Sequence, residues 1–293
     1  MGEQRNLCTI CGDAYSANQS RDVAVLRSNV RKFSDQRFTV WRCARCRSIH
    51  SLDCVELDEY YAEYPFQRQS DGLIWRFLAR RYVARLKRAG LRREHSILDY
   101  GCGSGLLVDQ LRRMRFTETH GFDKHAPKYS DSSPLGRTYD FIILQDVLEH
   151  VEDPGELLAE VTALTNPGGI VCIGTPNAEN IHLSSPETFV HSLHQPYHLH
   201  ILSSKTLLAL AEGRGLFPVR RYDTRFGDTF VPFGNVRFQN FYAKLFDDTL
   251  DLAFEPYRLH WRIFTPKGLA LGLFGSLFPR RAETMILFRK DRS

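Results

Sequence analysis

Residues 97–105 read ILDYGCGSG, an apolar run carrying one aspartate and then three glycines at alternate positions. The run has the composition of a buried strand, and in the following LLVDQLRRM the residues Leu107, Leu111 and Met114 fall on one helical face. THGFD then reads as a second short strand ending in Asp123. Strand, glycine loop, helix and strand in this order predict an α/β fold built on a mostly parallel sheet. Glycines let backbone approach a ligand at a helix N-terminus, and an acid closing the second strand accepts hydrogen bonds from ribose hydroxyls. The pattern points to a nucleoside-containing cofactor.

What the loop lacks narrows the choice. Leu106 stands where the dinucleotide fingerprint G-x-G-x-x-G has its third glycine, and no P-loop lysine follows. Asp99, just ahead of the loop, repels a pyrophosphate and suits a ligand with an ammonium group. S-adenosylmethionine (SAM) has an ammonium and a sulfonium and no phosphate.

Four of the seven cysteines form two pairs, Cys8-x-x-Cys11 and Cys43-x-x-Cys46. This is the pattern of a four-thiolate zinc site, structural in role because no coordination position stays open. The pairs are 31 residues apart, so a hairpin must fill the gap, and RFTVW near its end alternates as a strand does. Disulfides are the competing reading. They are disfavoured because MGEQRNLCTI has no apolar signal region, and cytoplasmic placement is expected. The longest apolar run, GLALGLFGSLF at 268–278, is too short to span a bilayer.

The segment from about residue 95 to 215 resembles a class I SAM-dependent methyltransferase. ILDYGCGSG is similar to that family's first motif, GFD to its ribose motif and YDFIILQDVLEHVEDP to its fourth-strand motif. NPGGIVCIGTPN resembles its fifth strand, and HLHILSSKTLLALAEGRGL the loop and helix that follow. With the cysteine pairs in front, the chain resembles methyltransferases that carry an N-terminal zinc-binding module. The resemblance implies a Rossmann-like sheet with its last strand antiparallel, here ETMILFRKD. It implies that Asp99, Gly101, Gly103 and Gly105 hold the methionyl end of SAM, that Asp123 takes the ribose hydroxyls, and that Gln145 lies beside the sulfonium. Only 15 residues separate Asp123 from Tyr139, where the family fits a helix and a third strand that closes on adenine. That edge must be abbreviated, and Asp131 is the guess for the adenine contact.

Asp146, Glu149 and His150 stand at i, i+3 and i+4, so on one helical turn they converge. Ubiquinone-type O-methyltransferases have a similar E-x-x-E-H, which implies a divalent cation there; helix capping is the competing role. Methyl transfer is an in-line displacement that needs alignment and a base for the acceptor's proton. FVHSLHQPYHLHILS supplies His191, His194, His198 and His200, of which His198 or His200 is the expected base, with His150 third.

These readings divide the chain into a zinc module (1–56), a linker and first helix (57–94), a cofactor-binding core (95–225), an aromatic cap (226–282) and the last core strand (283–293). In the linker, LDEYYAEY is expected to pack module on core, and Ile74, Phe77, Leu78, Tyr82 and Leu86 form a helical stripe. Residues 226–264 hold 11 of the 35 Phe, Tyr and Trp, which suits a ring-bearing or lipid-like acceptor, as does the 268–278 run beside Pro279, Arg280 and Arg281. The net charge is +5, and between Arg76 and Arg93 stand eight Lys or Arg and no acid. A solvated helix face explains this, and an acidic carrier protein is a minority partner.

The reading that results is methyl transfer from SAM to oxygen or carbon of a small metabolite, possibilities including sugar-linked and carrier-bound acceptors. The alternatives are a nucleic-acid methyltransferase, with zinc module and basic helix as docking surface, and a non-catalytic SAM-binding scaffold. LQDVLEH after the fourth strand lacks the N-P-P-Y-like tetrapeptide of base N-methylation.

Overall fold

The computed structural model describes residues 6–15, 22–61, 71–224, 228, 230–279 and 281–292. The side chain of Ile74, the 225/226 boundary and Arg280 lie outside the described residues. In chain order the elements begin with β1 (Val23–Arg27), β2 (Arg37–Arg42), β3 (Ile49–Ser51), α1 (Leu57–Tyr61) and α2 (Leu73–Arg88). The core follows with β4 (Ile97–Tyr100), α3 (Leu106–Arg113), β5 (Thr119–Phe122), β6 (Tyr139–Gln145), α4 (Pro154–Ala163) and β7 (Thr165–Pro176). Then come α5 (Val190–Leu193), β8 (His200–Ile201), α6 (Ser204–Glu212), β9 (Leu216–Tyr222), α7 (Val236–Ala243), α8 (Pro266–Phe274) and β10 (Glu283–Lys290).

The large sheet has the order β5-β4-β6-β7-β10-β9. β4, β5, β6 and β7 are parallel to one another, and β10 runs antiparallel between β7 and β9. This is the Rossmann-like sheet with an antiparallel last strand. Its central strands are apolar on both faces because helices cover both. Leu98, Ile142, Leu144 and Val171 pack on Leu158 and Val161 of α4 and Leu207 of α6. On the other face Ile97, Phe141, Ile143 and Cys172 meet Tyr82, Val83 and Leu86 of α2 and Leu111 of α3.

Between β5 and β6 lie only two short 3-10 turns, Pro127–Tyr129 and Ser133–Gly136, and β5 is the sheet edge. Fifteen residues are too few for a crossover helix and a further strand. NPGG forms an irregularity inside β7, whose pairing jumps from Tyr139↔Thr165 to Phe141↔Ile170. On α2 the buried positions are Ala79, Tyr82, Val83 and Leu86, while Phe77 is exposed.

The small sheet has the order β1-β2-β3-β8, all antiparallel. The β1–β2 hairpin fills the gap between the cysteine pairs. The fourth strand, β8, comes from the core, and His50 pairs with His200 across it. Module and core are therefore joined through one sheet. The C-terminal lobe is built around Phe238, Tyr242 and Ile263. Among the described residues no helix is long and apolar enough to cross a membrane.

Candidate active site

The glycine loop leaves the carboxyl end of β4 and opens α3, where β5 and β6 flank β4 on opposite sides. Ligands of open α/β sheets sit at such a point. Gly101 and Gly105 have φ of +76° and +80°; a Cβ would strike Val147 at the first and the Tyr129 ring at the second. At Gly103 a Cβ would meet nothing within 4 Å, so space is open beside the middle of the loop. Asp123 closes on the same point. Its Oδ2 accepts the Gly103 amide at 2.8 Å, and its Oδ1 accepts the amides of His125 at 2.8 Å and Ala126 at 3.1 Å. A carboxylate has about four acceptor sites, so roughly one remains for a hydroxyl.

Asp99 is buried, and burial followed by the charge of Asp123 pushes its carboxyl up to about 7. A cation placed nearby restores the ionised form. Gln145 ends β6 with its Nε2 donating to Asp146 Oδ1 at 3.0 Å. Asp131 lies at the surface, where its carboxylate caps Ser133 through the amide at 3.0 Å and the hydroxyl at 2.6 Å.

The Asp146, Glu149 and His150 grouping needs correction. Asp146 takes a left-handed φ of +55°, so the chain turns out of β6 instead of winding into a helix, and Asp146 is left exposed. The structure gathers Glu149 and His150 with His198 instead, their ligand atoms all within 4.8 Å of one another. Glu149 Oε2 accepts the Thr175 hydroxyl at 3.0 Å. Its Oε1 is buried without a hydrogen-bond partner, 3.9 Å from His198 Nε2. Burial, reinforced by the charge of Asp146, holds this carboxyl well above the usual carboxylate range.

Both histidines of the group are oriented through backbone. His198 Nδ1 donates to the Ser192 carbonyl at 2.9 Å and His150 Nδ1 to the Tyr197 carbonyl at 3.1 Å. A carbonyl only accepts, so each neutral ring keeps Nε2 as its lone-pair nitrogen. Burial keeps them neutral, His150 down to about 4 and His198 well below its usual value. His200 is arranged differently. Its Nε2 donates to the Leu148 carbonyl at 3.1 Å, and the Leu199 amide donates to the Glu149 carbonyl at 2.9 Å. His194 and His191 bond to Asn29 of the module.

Sequence reasoning missed the residues that cover this group. The Tyr61 hydroxyl lies 3.0 Å from His150 Nδ1, and its ring stacks on His125 with centroids 4.9 Å apart. The Tyr197 hydroxyl donates to the Tyr60 carbonyl at 2.9 Å, joining α1 to the loop after β7. The doubled tyrosine of LDEYY was the available signal.

Cys8, Cys11, Cys43 and Cys46 converge, and none is in a disulfide. Sγ–Sγ distances are 3.5 Å for Cys8–Cys46 and 3.6 Å for Cys11–Cys43. Tetrahedral zinc with sulfurs at about 2.3 Å requires a separation of about 3.8 Å, so the donor set fits the metal. The two pairs share one geometry: Gly12 and Arg47, each following a second cysteine, have φ of +71° and +64°, and their amides bond to the carbonyls of Cys8 and Cys43. A cleft of about 900 Å³ opens elsewhere, between this module and α6, lined by Arg42, Arg47, Lys205 and Leu210 among others.

A profile of the methyltransferase-domain family matches residues 74–220, half of the chain. A ubiquinone biosynthesis O-methyltransferase of Caulobacter vibrioides is 29% identical over 126 residues, 34% of this chain and 50% of that protein. The mitochondrial enzyme of the same name from Arabidopsis thaliana is 33% identical over 103 residues, 27% of this chain and 32% of that one. The chain thus spans half or less of these two relatives. A SAM-dependent methyltransferase structure from Mesorhizobium loti is similar at 14% identity and a TM-score of 0.44, covering 72% of this chain and 98% of that one. The chain belongs to the methyltransferase-domain family and carries a class I, SAM-dependent methyltransferase domain.

Proposed function

We propose that this chain transfers the methyl group of SAM to an oxygen of a small-molecule metabolite, with carbon as the alternative acceptor atom. The observation that carries the proposal is the open space at Gly103 between Asp99 and Asp123, at the carboxyl ends of two parallel strands. Bound SAM supplies a methyl already activated on a sulfonium. Asp99 balances the ammonium, Asp123 takes a ribose hydroxyl, and Gln145 sits beside the sulfur. His198, neutral and with Nε2 unprotonated, receives the acceptor's proton, and Glu149 faces the imidazolium that results. Tyr61 and Tyr197 shield the group from water. His200 positions Leu148 and, through it, Glu149.

The relatives' names support oxygen as the acceptor atom. Seven cysteines free of disulfides favour a reducing compartment such as the cytoplasm. We also propose that the four-thiolate group holds structural zinc, checked by one metal per chain that Cys43→Ala removes.

Calorimetric titration with S-adenosylhomocysteine, on the parent and on Asp123→Ala, tests the cofactor site. Micromolar binding that weakens about tenfold or more in the variant, about 1.4 kcal/mol, supports it. No binding by a folded, zinc-loaded parent removes it.

A second reading is favoured by the orphaned Glu149 Oε1. Two neutral histidines whose other ring nitrogen donates to a carbonyl, beside one buried carboxylate, are the donor set of a divalent cation site. There Glu149, His150 and His198 would hold an ion that orients the acceptor oxygen. Manganese binding followed by electron paramagnetic resonance decides between the readings: a signal change lost in Glu149→Gln supports the ion, and no change returns the group to proton transfer.

A further inference from the structure

Helix α8 is inside out. A surface helix ordinarily buries its leucines and exposes polar residues. Here Gly268 and Gly272 face inward, Gly268 against the carbonyls of Arg262 and Ile263 and Gly272 against the Phe233 ring. No side chain larger than glycine fits at either position, so the helix lies close against the lobe. The outward positions are Leu269, Leu273 and Phe274, with Leu277 following. Leu273 is 46% exposed, Phe274 57% and Leu277 61%; Trp261, in the turn that abuts the helix, is 67% exposed. Nine of the 17 exposed large apolar side chains among the described residues lie between 257 and 278. A soluble surface rarely concentrates apolar groups in this way without a partner.

The charges beside these residues have one sign. From Pro256 to Ala282 there are five Lys or Arg and no acid. The acids of the preceding stretch are paired: Asp247 and Glu255 with Arg31, Asp248 with Arg27, and Asp251 accepts the Arg31 amide at 2.9 Å. Glu255 also pairs with Arg258 at 2.6 Å, so the cations counted beside the face are Arg262, Lys267 and Arg281.

We propose that this face docks on the surface of an anionic lipid bilayer, with Leu269, Leu273, Phe274 and Leu277 at the acyl boundary and Trp261 at the headgroup level. Arg262, Lys267 and Arg281 then meet lipid phosphates. Exposed leucine and aromatic groups flanked by cations are the composition of an interfacial element, and anionic lipid adds attraction for each Lys or Arg near the surface. A second copy of the chain fits less well. A two-fold contact through this face would place two sets of Arg262, Lys267 and Arg281 around one interface, with Glu255 already paired to Arg31 and Arg258.

The test is flotation of the full, zinc-loaded chain with vesicles of equimolar phosphatidylcholine and phosphatidylglycerol, and with pure phosphatidylcholine. The chain should float with the anionic vesicles and about tenfold less with the neutral ones. The exposed double substitution Leu273→Glu with Phe274→Glu should reduce binding about tenfold or more, and Lys267→Glu several-fold. Unchanged S-adenosylhomocysteine binding and zinc content show that the variants are folded. No flotation, equal partition onto neutral vesicles, or undiminished flotation of the double variant overturns the proposal. So does self-association without lipid that the double variant abolishes, since the face then joins two copies of the chain.

Discussion

Trp41, Ile49 and Phe38 of the small sheet are buried, whereas Trp261, Phe264 and Leu273 of the C-terminal lobe stand in solvent. The module also directs its polar groups inward. Arg42 donates to the carbonyls of Ala178 and Ile181, and Ser203 and Thr206 of the core donate to the Cys46 carbonyl. Ser51 donates its amide to Leu199, and β3 accepts β8 as its edge partner. On the outer helix of the lobe, Gly268 and Gly272 face inward while Leu269 and Leu273 face outward. The difference separates two roles. The cysteine module pairs β3 with β8 beside the loop that carries His198 and His200, which makes it part of the proposed active site, whereas the lobe keeps an exposed apolar face, the proposed docking surface.

The largest effect expected from this contrast is loss of the metal. Cys43→Ala, or chelation, should abolish the small sheet and with it methyl transfer, because structural zinc sites contribute on the order of 10 kcal/mol. Circular dichroism and a SAM-dependent activity assay check this together. Ile49→Ala should destabilise by about 2–5 kcal/mol in denaturant unfolding, the cost of emptying a packed core site.

Next comes pH. Asp99 is raised to about 7 in the folded chain, so the protonated form is favoured and this group's contribution to stability declines as pH rises from its ordinary value toward 7. Affinity for a cationic ligand moves the opposite way. S-adenosylhomocysteine should bind about tenfold more tightly near pH 8 than near pH 6, and Asp99→Asn should flatten that dependence. At the small end, Leu277→Gln should change folding stability by no more than about 0.5 kcal/mol, since most of the side chain is already in water. A cost as large as that of Ile49→Ala would show that the lobe's leucines are core, and the contrast between the two regions would disappear.

Local patterns made much of this legible. ILDYGCGSG announced β4 and its loop, and YDFIILQ announced β6. The short stretch between Asp123 and Tyr139 foretold that β5 would be the edge. Contacts between distant segments were not legible. β8 is two residues long and has no period to detect. Glu149 and His198 are 49 positions apart, and nothing local pairs them. Helical spacing suggested Asp146 instead, and its left-handed backbone defeated that expectation. Asp tolerates the left-handed region better than most residues, but helical spacing does not show where it will adopt it. Tyr61 lies ahead of the segment matched by the family profile, yet it reaches His150.

Hydrogen exchange before and after zinc removal tests most directly whether the module is part of the active site. The account predicts that β3, β8 and the loop through His198 lose protection together, while β4 and β6 keep theirs. If the module exchanges freely and the loop from Gln195 to Ile201 stays protected, the module is an appendage and its place in the active site is contradicted.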